Sequence, residues 1–126
     1  METDKIYHVD INKKTIENIN YREVLYTVPD SIQLVVMSIS PKDSIHKETH
    51  PDTSQFIRVE SGEGVVEINY TPDTITKYKL QNDVAVIIPK GVSHKIINTG
   101  STNLKLYTIY TPPEHSPNKV EIKNPD

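Results

Sequence analysis

The sequence contains no cysteine, and this absence removes several kinds of chemistry at once. Disulfide bonds, thiolate metal ligands and thiol nucleophiles are all excluded. The composition fits a reducing compartment, and we therefore expect a cytoplasmic protein. If the chain binds a metal ion, the ligands must come from imidazole, carboxylate or amide groups.

Long apolar runs and concentrated charge are also missing. No stretch approaches the roughly 20 apolar residues that a membrane-spanning helix needs, so we expect no membrane association. The formal net charge is -3, and the 14 Lys and Arg residues form no basic stripe, which argues against a nucleic-acid partner. The polar, acidic start Met-Glu-Thr-Asp-Lys does not have the character of a signal peptide.

Short β-prone segments separated by turns make up most of the 126 residues. Pro, Gly, Asn and Asp mark the ends of these segments, and only residues 13–20 have a helix-like spacing of apolar side chains. Length and pattern together predict one all-β domain, a sandwich or a barrel. The predicted strands cover residues 21–28, 33–39, 55–60, 65–70, 75–80, 84–88, 93–98 and 104–110.

The chain divides into three predicted parts. Residues 1–30 form an N-terminal arm and a first strand, and residues 31–113 form the barrel. Residues 114–126 are polar and rich in proline, so we expect a surface tail there.

Two polar stretches about forty residues apart contain the histidines that attract attention. The first covers residues 46–51 and is followed by Gln55. The second covers residues 89–94 and is followed by Asn98. Each stretch combines histidine with other possible metal ligands, so a fold that brings the two together creates a metal site.

Strand geometry predicts that side chains of both stretches converge. Alternate residues of a strand face the same side, so an extended first stretch would place His46, Glu48 and His50 on one face. His94 from the second stretch and the amide oxygen of Gln55 would complete the group. Imidazole and carboxylate ligands suit zinc, iron, manganese, nickel or cobalt, and positions stay open for water or substrate.

The second stretch resembles the second motif of the cupins, small β-barrels of the jelly-roll type. Pro89, Gly91, His94 and Asn98 stand at the cupin spacing. The resemblance places His94 at the position of a metal-binding histidine. Asp83 stands where the motif usually has glycine, and we expect the turn to form because Asp tolerates positive φ better than most residues.

The first stretch resembles the first cupin motif with two substitutions. Glu48 stands where the motif has its first histidine, and His50 is the second histidine. Gln55 stands where the motif has glutamate, and Gly62 follows at the family distance. The resemblance therefore implies that Glu48, His50, Gln55 and His94 bind a divalent metal ion. Zn, Mn, Fe, Ni and Co all stay open, and the smaller number of imidazoles favours harder ions such as manganese or iron.

The resemblance covers roughly residues 18–115 and is closest to a subgroup of small single-domain cupins. In that subgroup Glu and Gln look like the usual residues at the two substituted positions. Its members are often described as similar to mannose-6-phosphate isomerase. The implied fold is all-β, a cupin jelly-roll barrel of antiparallel strands with little helix, and small cupins commonly form homodimers.

The resemblance implies a protein that acts on or binds a small polar molecule. A metal-dependent enzyme of sugar-isomerase type is the leading expectation, with a cupin dioxygenase second. A non-catalytic small-molecule or metal-binding module is the alternative, and a metal-free epimerase ranks last. Glu48 is the obvious carboxylate of the site, and it serves either as a metal ligand or as the catalytic general base.

Other histidines and several cations stand near the two motifs in the sequence. We expect His46 at the barrel mouth as a spare ligand at most. We expect His115 on the surface, and a position over the barrel mouth or against a neighbouring subunit is the alternative. Lys47, Arg58 and Lys90 are the cations nearest to the two motifs. So few cations count modestly against a phosphorylated substrate.

Overall fold

The computed structural model describes residues 5–126. Over that range the protein is mostly β-strand with one short helix, as predicted. None of its helices within residues 5–126 is long and apolar enough to cross a membrane. The elements are α1 (Ile11–Glu17), β1 (Arg22–Val28), β2 (Ile32–Ile39), β3 (Ser44–Glu48), β4 (Ser54–Ser61), β5 (Gly64–Asn69), β6 (Thr76–Leu80), β7 (Ala85–Ile88), β8 (Ser93–Asn98), β9 (Leu104–Thr111) and β10 (Val120–Glu121).

The strands form two antiparallel sheets. One sheet has the order β10-β1-β2-β9-β4-β7, and the other has the order β3-β8-β5-β6. The predicted antiparallel jelly roll is confirmed in the form of a two-sheet sandwich. Backbone pairing among the described strands does not join the two sheets into one closed barrel.

Alternating burial along the strands builds the core between the two sheets. Every second residue of β8 and of β9 is buried, which is the period expected when one face of a strand meets a core. Leu106 of β9 and Val66 of β5 belong to one apolar cluster with Ile96 of β8. The same alternation places His94 and Asn98 on the inner face of β8.

The turn between β4 and β5 requires glycine for two different reasons. Gly62 has φ +102°, in the left-handed region that favours glycine. Gly64 is needed for close approach, because a Cβ at that position would lie 2.5 Å from the carbonyl oxygen of Ile97. Asp83 adopts φ 71°, so the predicted turn forms with aspartate in place of glycine.

The N-terminal part contains the helix α1, which packs on the outer face of β9, β2 and β4. Asp10 caps its N-terminus by accepting a hydrogen bond from the backbone N–H of Lys13. At the other end, Lys105 Nζ donates to the carbonyl oxygens of Ile16 and Asn18, at 2.9 and 2.7 Å. The helix begins slightly earlier than the predicted segment because Asp10 supplies this cap.

The C-terminal part, predicted as a surface tail, returns to the sandwich. Its strand β10 pairs with β1 at the edge of the larger sheet. Asn124 Nδ2 donates to Asp43 Oδ1 and to the carbonyl oxygen of Ser44, both at 2.9 Å. Pairing at the edge of a sheet uses backbone groups and requires no alternation of apolar side chains in the sequence. The polar composition of residues 114–126 therefore gave no sign of strand β10. The division into three parts itself stays a prediction.

Candidate metal centre

Glu48 and His94 face each other across the pair of strands β3 and β8. Directly opposite residues on one face of an antiparallel pair have Cβ atoms about 5 Å apart. The register shifts between Ile45 and Glu48, and this irregularity brings Glu48 opposite His94. The strand therefore presents the carboxylate and the imidazole on the same inner face, as the sequence predicted.

The same irregularity turns His46 away from the site. Ile45 is buried, whereas His46 and Lys47 are both exposed, so the simple alternation expected for the first stretch does not hold. His46 Nδ1 instead contacts a carboxylate oxygen of Asp126. The structure therefore places the possible spare ligand outside the group that could bind a metal.

His50 lies in the loop after β3, where backbone contacts join the two motifs. The N–H of Gly91 donates to the carbonyl oxygen of His50 at 2.7 Å. Gly91 has φ +83°, in the left-handed region that favours glycine. It lies in the turn Pro89-Lys90-Gly91, which follows β7. The glycine turn of the second motif thus fixes the position of the histidine from the first motif.

The ligand atoms of Glu48, His50 and His94 lie within 4.8 Å of one another, which is close enough to hold one metal ion. His50 Nε2 is 2.9 Å from Glu48 Oε2. The rings of His50 and His94 are 5.3 Å apart between centroids. Both imidazoles are buried, and Glu48 is partly buried.

Gln55 approaches from the opposite sheet. It lies on β4 directly across from Tyr110 of β9. Its Nε2 donates to Thr108 Oγ1 at 2.9 Å and to the Tyr110 hydroxyl at 3.3 Å. Its Oε1 is buried and has no hydrogen-bond partner. An amide whose nitrogen is fully occupied and whose oxygen is free has the orientation that an oxygen ligand needs.

Further contacts orient the two imidazoles. His94 Nδ1 is 3.0 Å from the carbonyl oxygen of Val92, and His50 Nδ1 is 3.3 Å from Glu114 Oε1. Metal-bound histidines usually donate their second ring N–H to such oxygen atoms, which fixes the tautomer. Nε2 of each ring is then the nitrogen available to a metal ion.

The charges of the group are strongly coupled. The interaction with Glu48 raises the pKa of His50, although burial opposes it. Burial by itself would raise the pKa of Glu48, but His50, Arg22 and His94 together lower it. Burial lowers the pKa of His94. The carboxylate is therefore ionised and His94 favours the neutral form, as metal binding requires, whereas the raised pKa of His50 means that this ring has to release its proton when a metal ion binds.

A cleft of about 430 Å³ leads to this group from outside. Glu48 and His50 form part of its wall, and the exposed Lys47 lies at its rim. Arg22 of β1 also lines the cleft and is only 6% exposed. One terminal nitrogen of Arg22 lies 4.0 Å from Glu48 Oε1, so the guanidinium adds positive charge beside the site.

The C-terminal strap, which we define as residues 112–121, forms the far side of the cleft. His115 lines the cleft rather than lying free on the surface, and its ring contacts Tyr110 edge-on at 5.2 Å. Tyr110 in turn contacts His50 edge-on at 5.8 Å. His115 Nε2 is buried without a hydrogen-bond partner. Burial, with help from Arg22, lowers the pKa of His115 to about 4, so the ring is neutral near pH 7.

Two of the three cations nearest to the motifs lie away from the cleft. Arg58 pairs with Asp83 at 2.8 Å and approaches Glu60 at 3.5 Å, so acidic side chains of the protein itself hold it. Arg58 and Lys90 do not line the cleft, whereas Lys47 does. Asn98 has a structural role, because its Nδ2 donates to the carbonyl oxygens of Ile39 and Thr102.

Sequence reasoning missed Arg22, Glu114 and the contacts of the buried Tyr110 with His50 and His115. Arg22 belongs to a β-prone segment far from both motifs, and no local pattern connects it with them. Glu114 stands beside His115, but its position opposite His50 depends on where the strap returns. The nearest available signal was the polar pair at 114–115 directly after two prolines.

The residues present fit a divalent metal ion. The group contains two imidazoles and a carboxylate at mutual ligand distance. A buried amide oxygen without a partner accompanies it from the facing sheet. Such a mixture of nitrogen and oxygen donors suits first-row divalent metals.

Fold and site together define a small jelly-roll protein with a possible metal centre between its sheets. The chain belongs to the cupin family: the family model described as Cupin domain (Cupin_2) matches residues 35–110. This match includes both motifs and all four predicted ligands, although it does not assign a role to any of them.

Three similar proteins extend the match beyond the family model. The protein L612 of Acanthamoeba polyphaga mimivirus is 40% identical over 123 residues, which are 97% of this chain and 75% of L612. YrkC of Bacillus subtilis is 38% identical over 112 residues, and the match spans only 60% of its length. The crystal structure of BH2720 from Bacillus halodurans is 36% identical with a TM-score of 0.91, covering 96% of this chain and 92% of that one.

Proposed function

We propose that this chain is a metal-dependent enzyme that acts on a small polar molecule. In this proposal Glu48, His50, Gln55 and His94 bind one divalent ion. The observation that supports it best is the grouping of Glu48, His50 and His94 within 4.8 Å beneath an open cleft. A purely structural metal site is usually closed by protein ligands, whereas a catalytic site keeps a position for substrate.

A bound divalent ion would polarise a carbonyl or hydroxyl oxygen of the substrate and stabilise negative charge on it. The protein supplies the orientation. Glu114 and the Val92 carbonyl oxygen hold the Nδ1 side of the two imidazoles, which leaves both Nε2 atoms directed toward the ion. Glu48 then serves as a ligand, and a different residue has to transfer protons, since one carboxylate cannot easily do both.

Within this class we favour a reaction of sugar-isomerase type, in which a proton moves between adjacent carbon atoms of a hydroxycarbonyl compound. Such a reaction needs a base that is not a metal ligand. His115 meets this requirement because it lines the cleft, has a free Nε2 and is neutral near pH 7. His115 lies outside the group of mutual ligand distance, so the proposed ion does not need it as a ligand.

The first test is metal analysis of untagged protein that was purified without chelator. We expect close to one equivalent of a first-row divalent metal per chain. His50→Ala and His94→Ala should each lower the content by at least about tenfold, because each removes an imidazole ligand. His46→Ala is the matched control, since His46 comes from the same stretch but is exposed and faces Asp126.

The outcomes separate clearly. Metal retained by the His46 variant and lost from the other two would support the proposed site. Wild-type protein that is folded yet takes up neither Mn²⁺, Fe²⁺, Co²⁺ nor Zn²⁺ would overturn the metalloenzyme proposal. In that case a non-catalytic binding module would be the better description.

A further inference from the structure

We infer that the cleft binds a ligand through a carboxylate group, with Arg22 as the residue that recognises it and Glu121 as an internal competitor. This inference rests on the proposed function and narrows it. The substrate would be a small hydroxycarbonyl compound that also carries a carboxylate, rather than a neutral sugar. One end of the ligand would reach the metal centre while its carboxylate pairs with Arg22.

Arg22 is buried but only partly satisfied. A guanidinium has five N–H donors, and buried donors normally all find partners. Arg22 is 6% exposed, and its Nε has no hydrogen-bond partner. One terminal nitrogen pairs with Glu121, and the other is 4.0 Å from Glu48, beyond hydrogen-bond distance. The fork that binds carboxylates in a bidentate manner is therefore half unused.

The position of Arg22 suits a ligand that also contacts the metal centre. Its guanidinium lies beside Glu48 and lines the same cleft as His50 and His115. If Glu48 binds a divalent ion, its negative charge is balanced by that ion. Less of this charge then remains to balance the positive charge of Arg22. A ligand carboxylate would restore the balance and use the free donors of the guanidinium.

Glu121 pairs with Arg22 from a strand at the edge of the larger sheet. It lies on β10, a strand of two residues that pairs with β1 at Arg22–Glu121 and Glu23–Val120, and the flanking residues Lys119 and Ile122 accept backbone hydrogen bonds from Val24 and Tyr21. Val120 is 52% exposed, so little apolar burial secures this strand. Glu121 itself lines the cleft. An incoming carboxylate can therefore compete with Glu121 for the same guanidinium without disturbing the core.

The test uses Co²⁺-loaded protein and a pair of probes that differ by one charge. Malonate has a carboxylate at both ends, whereas malonamate has the same length but an uncharged amide at one end. Binding is followed through the visible absorption of Co²⁺. We expect wild-type protein to bind malonate at least about tenfold more tightly than malonamate, since one charge-assisted bidentate contact distinguishes the two.

Three variants identify the residue that is responsible. Arg22→Gln should lower the preference for malonate at least about fivefold from the wild-type value, because it removes the fork of Arg22 while the preference of the ion itself for a second carboxylate stays. Glu121→Gln should raise malonate affinity by about three- to tenfold and leave malonamate unchanged, because it removes the competitor. Lys47→Gln is the matched control: it removes another cation of the cleft, and the preference should stay within about twofold of wild type.

The opposite signs expected for Arg22→Gln and Glu121→Gln keep the inference testable even if one variant folds poorly. Equal affinities for both probes in Co²⁺-loaded wild-type protein would overturn the inference and leave the proposed metal site intact. An unchanged malonate affinity in a folded Glu121 variant would also overturn it. Failure of the folded wild-type protein to take up Co²⁺, Mn²⁺, Fe²⁺ or Zn²⁺ would overturn the proposed function together with the inference that depends on it.

Discussion

The side chain of Gln55 has the hydrogen bonds that an amide ligand of the proposed metal centre would need. Its two donor contacts, to Thr108 and Tyr110, leave the amide oxygen free inside the sandwich. An unpaired buried oxygen is unfavourable unless a partner arrives, and a divalent ion is such a partner. The neutral amide also leaves Glu48 as the one carboxylate among the four proposed ligands.

The first prediction concerns this amide oxygen. Gln55→Met keeps the approximate volume but removes the oxygen, and we expect Co²⁺ affinity to fall by about 10- to 100-fold. Thr108→Val removes one contact that orients the amide while leaving its oxygen in place, so it should weaken binding by less. Competition titration with a coloured chelator measures both. Full affinity in the Gln55 variant would show that Gln55 only forms hydrogen bonds.

The second prediction concerns the buried neutral ring of His115. Its folded-state pKa of about 4 lies below the ordinary value of 6.5 because burial and the charges of Arg22 and Lys119 oppose protonation, while Glu48 and Glu121 favour it. Below the ordinary pKa the unfolded chain binds a proton that the folded chain does not. This contribution to stability is complete above pH 6.5 and disappears as the pH falls toward 4.

We therefore expect the metal-free protein to lose stability more steeply than its His115→Gln variant between pH 7 and pH 4. Urea unfolding at several pH values in the presence of chelator measures the difference, and contributions of other groups cancel in the comparison. Identical slopes for the two proteins would contradict a buried neutral ring at this position.

Among the structural elements, the C-terminal strap depends on one buried side chain. Gln33 of β2 is fully buried, and its Oε1 accepts hydrogen bonds from the backbone N–H groups of Glu114 and His115. Its Nε2 donates to the carbonyl oxygen of His115 and to Thr27 Oγ1. One amide therefore fixes the strap backbone at the residues whose side chains reach His50 and Tyr110.

The third prediction follows from this contact. Gln33→Met leaves the strap backbone groups without partners, so we expect a loss of about 2–4 kcal/mol in the free energy of unfolding. Hydrogen exchange at the amides of residues 114 and 115 should accelerate as well. Gln81→Met, at an exposed glutamine, should change stability by less than about 0.5 kcal/mol. Undiminished protection at residue 115 would show that the strap is held in another way.

For the whole molecule, the sandwich brings together residues that are far apart in the chain. The smaller sheet contributes Glu48 and His94, and the larger sheet contributes Gln55. The C-terminal strap then completes the cleft with His115 and, from its strand β10, with Glu121. The proposed metal centre therefore depends on the packing of both sheets, and we expect its affinity for metal to report on the integrity of the fold.

The fourth prediction concerns assembly. We expect a homodimer, with a mass close to twice the 14.3 kDa of the chain. Closed pairs related by a twofold axis are the commonest assemblies of soluble proteins. Light scattering coupled to size-exclusion chromatography measures the mass directly, at several protein concentrations. A mass of one chain at all concentrations would contradict the homodimer.

The sequence by itself determined eight of the ten described strands, missing β3 and β10, and its resemblance to the cupin motifs indicated the four residues proposed as ligands. These features are local: alternation of burial, positive φ at Gly62 and motif spacing around His94 depend only on neighbouring residues. It also predicted correctly that Asp83 would form its turn, since that depends on the φ tolerance of one residue.

Only the tertiary structure decided which side chains surround the metal centre. The register irregularity in β3 turned His46 outward, although regular alternation had placed it beside Glu48. Arg22 and Glu121 meet because β10 pairs with β1 across nearly the whole length of the chain. Such contacts depend on register and on backbone pairing between distant segments. Neither leaves a periodic signal in the sequence, because backbone groups are the same in every residue except proline.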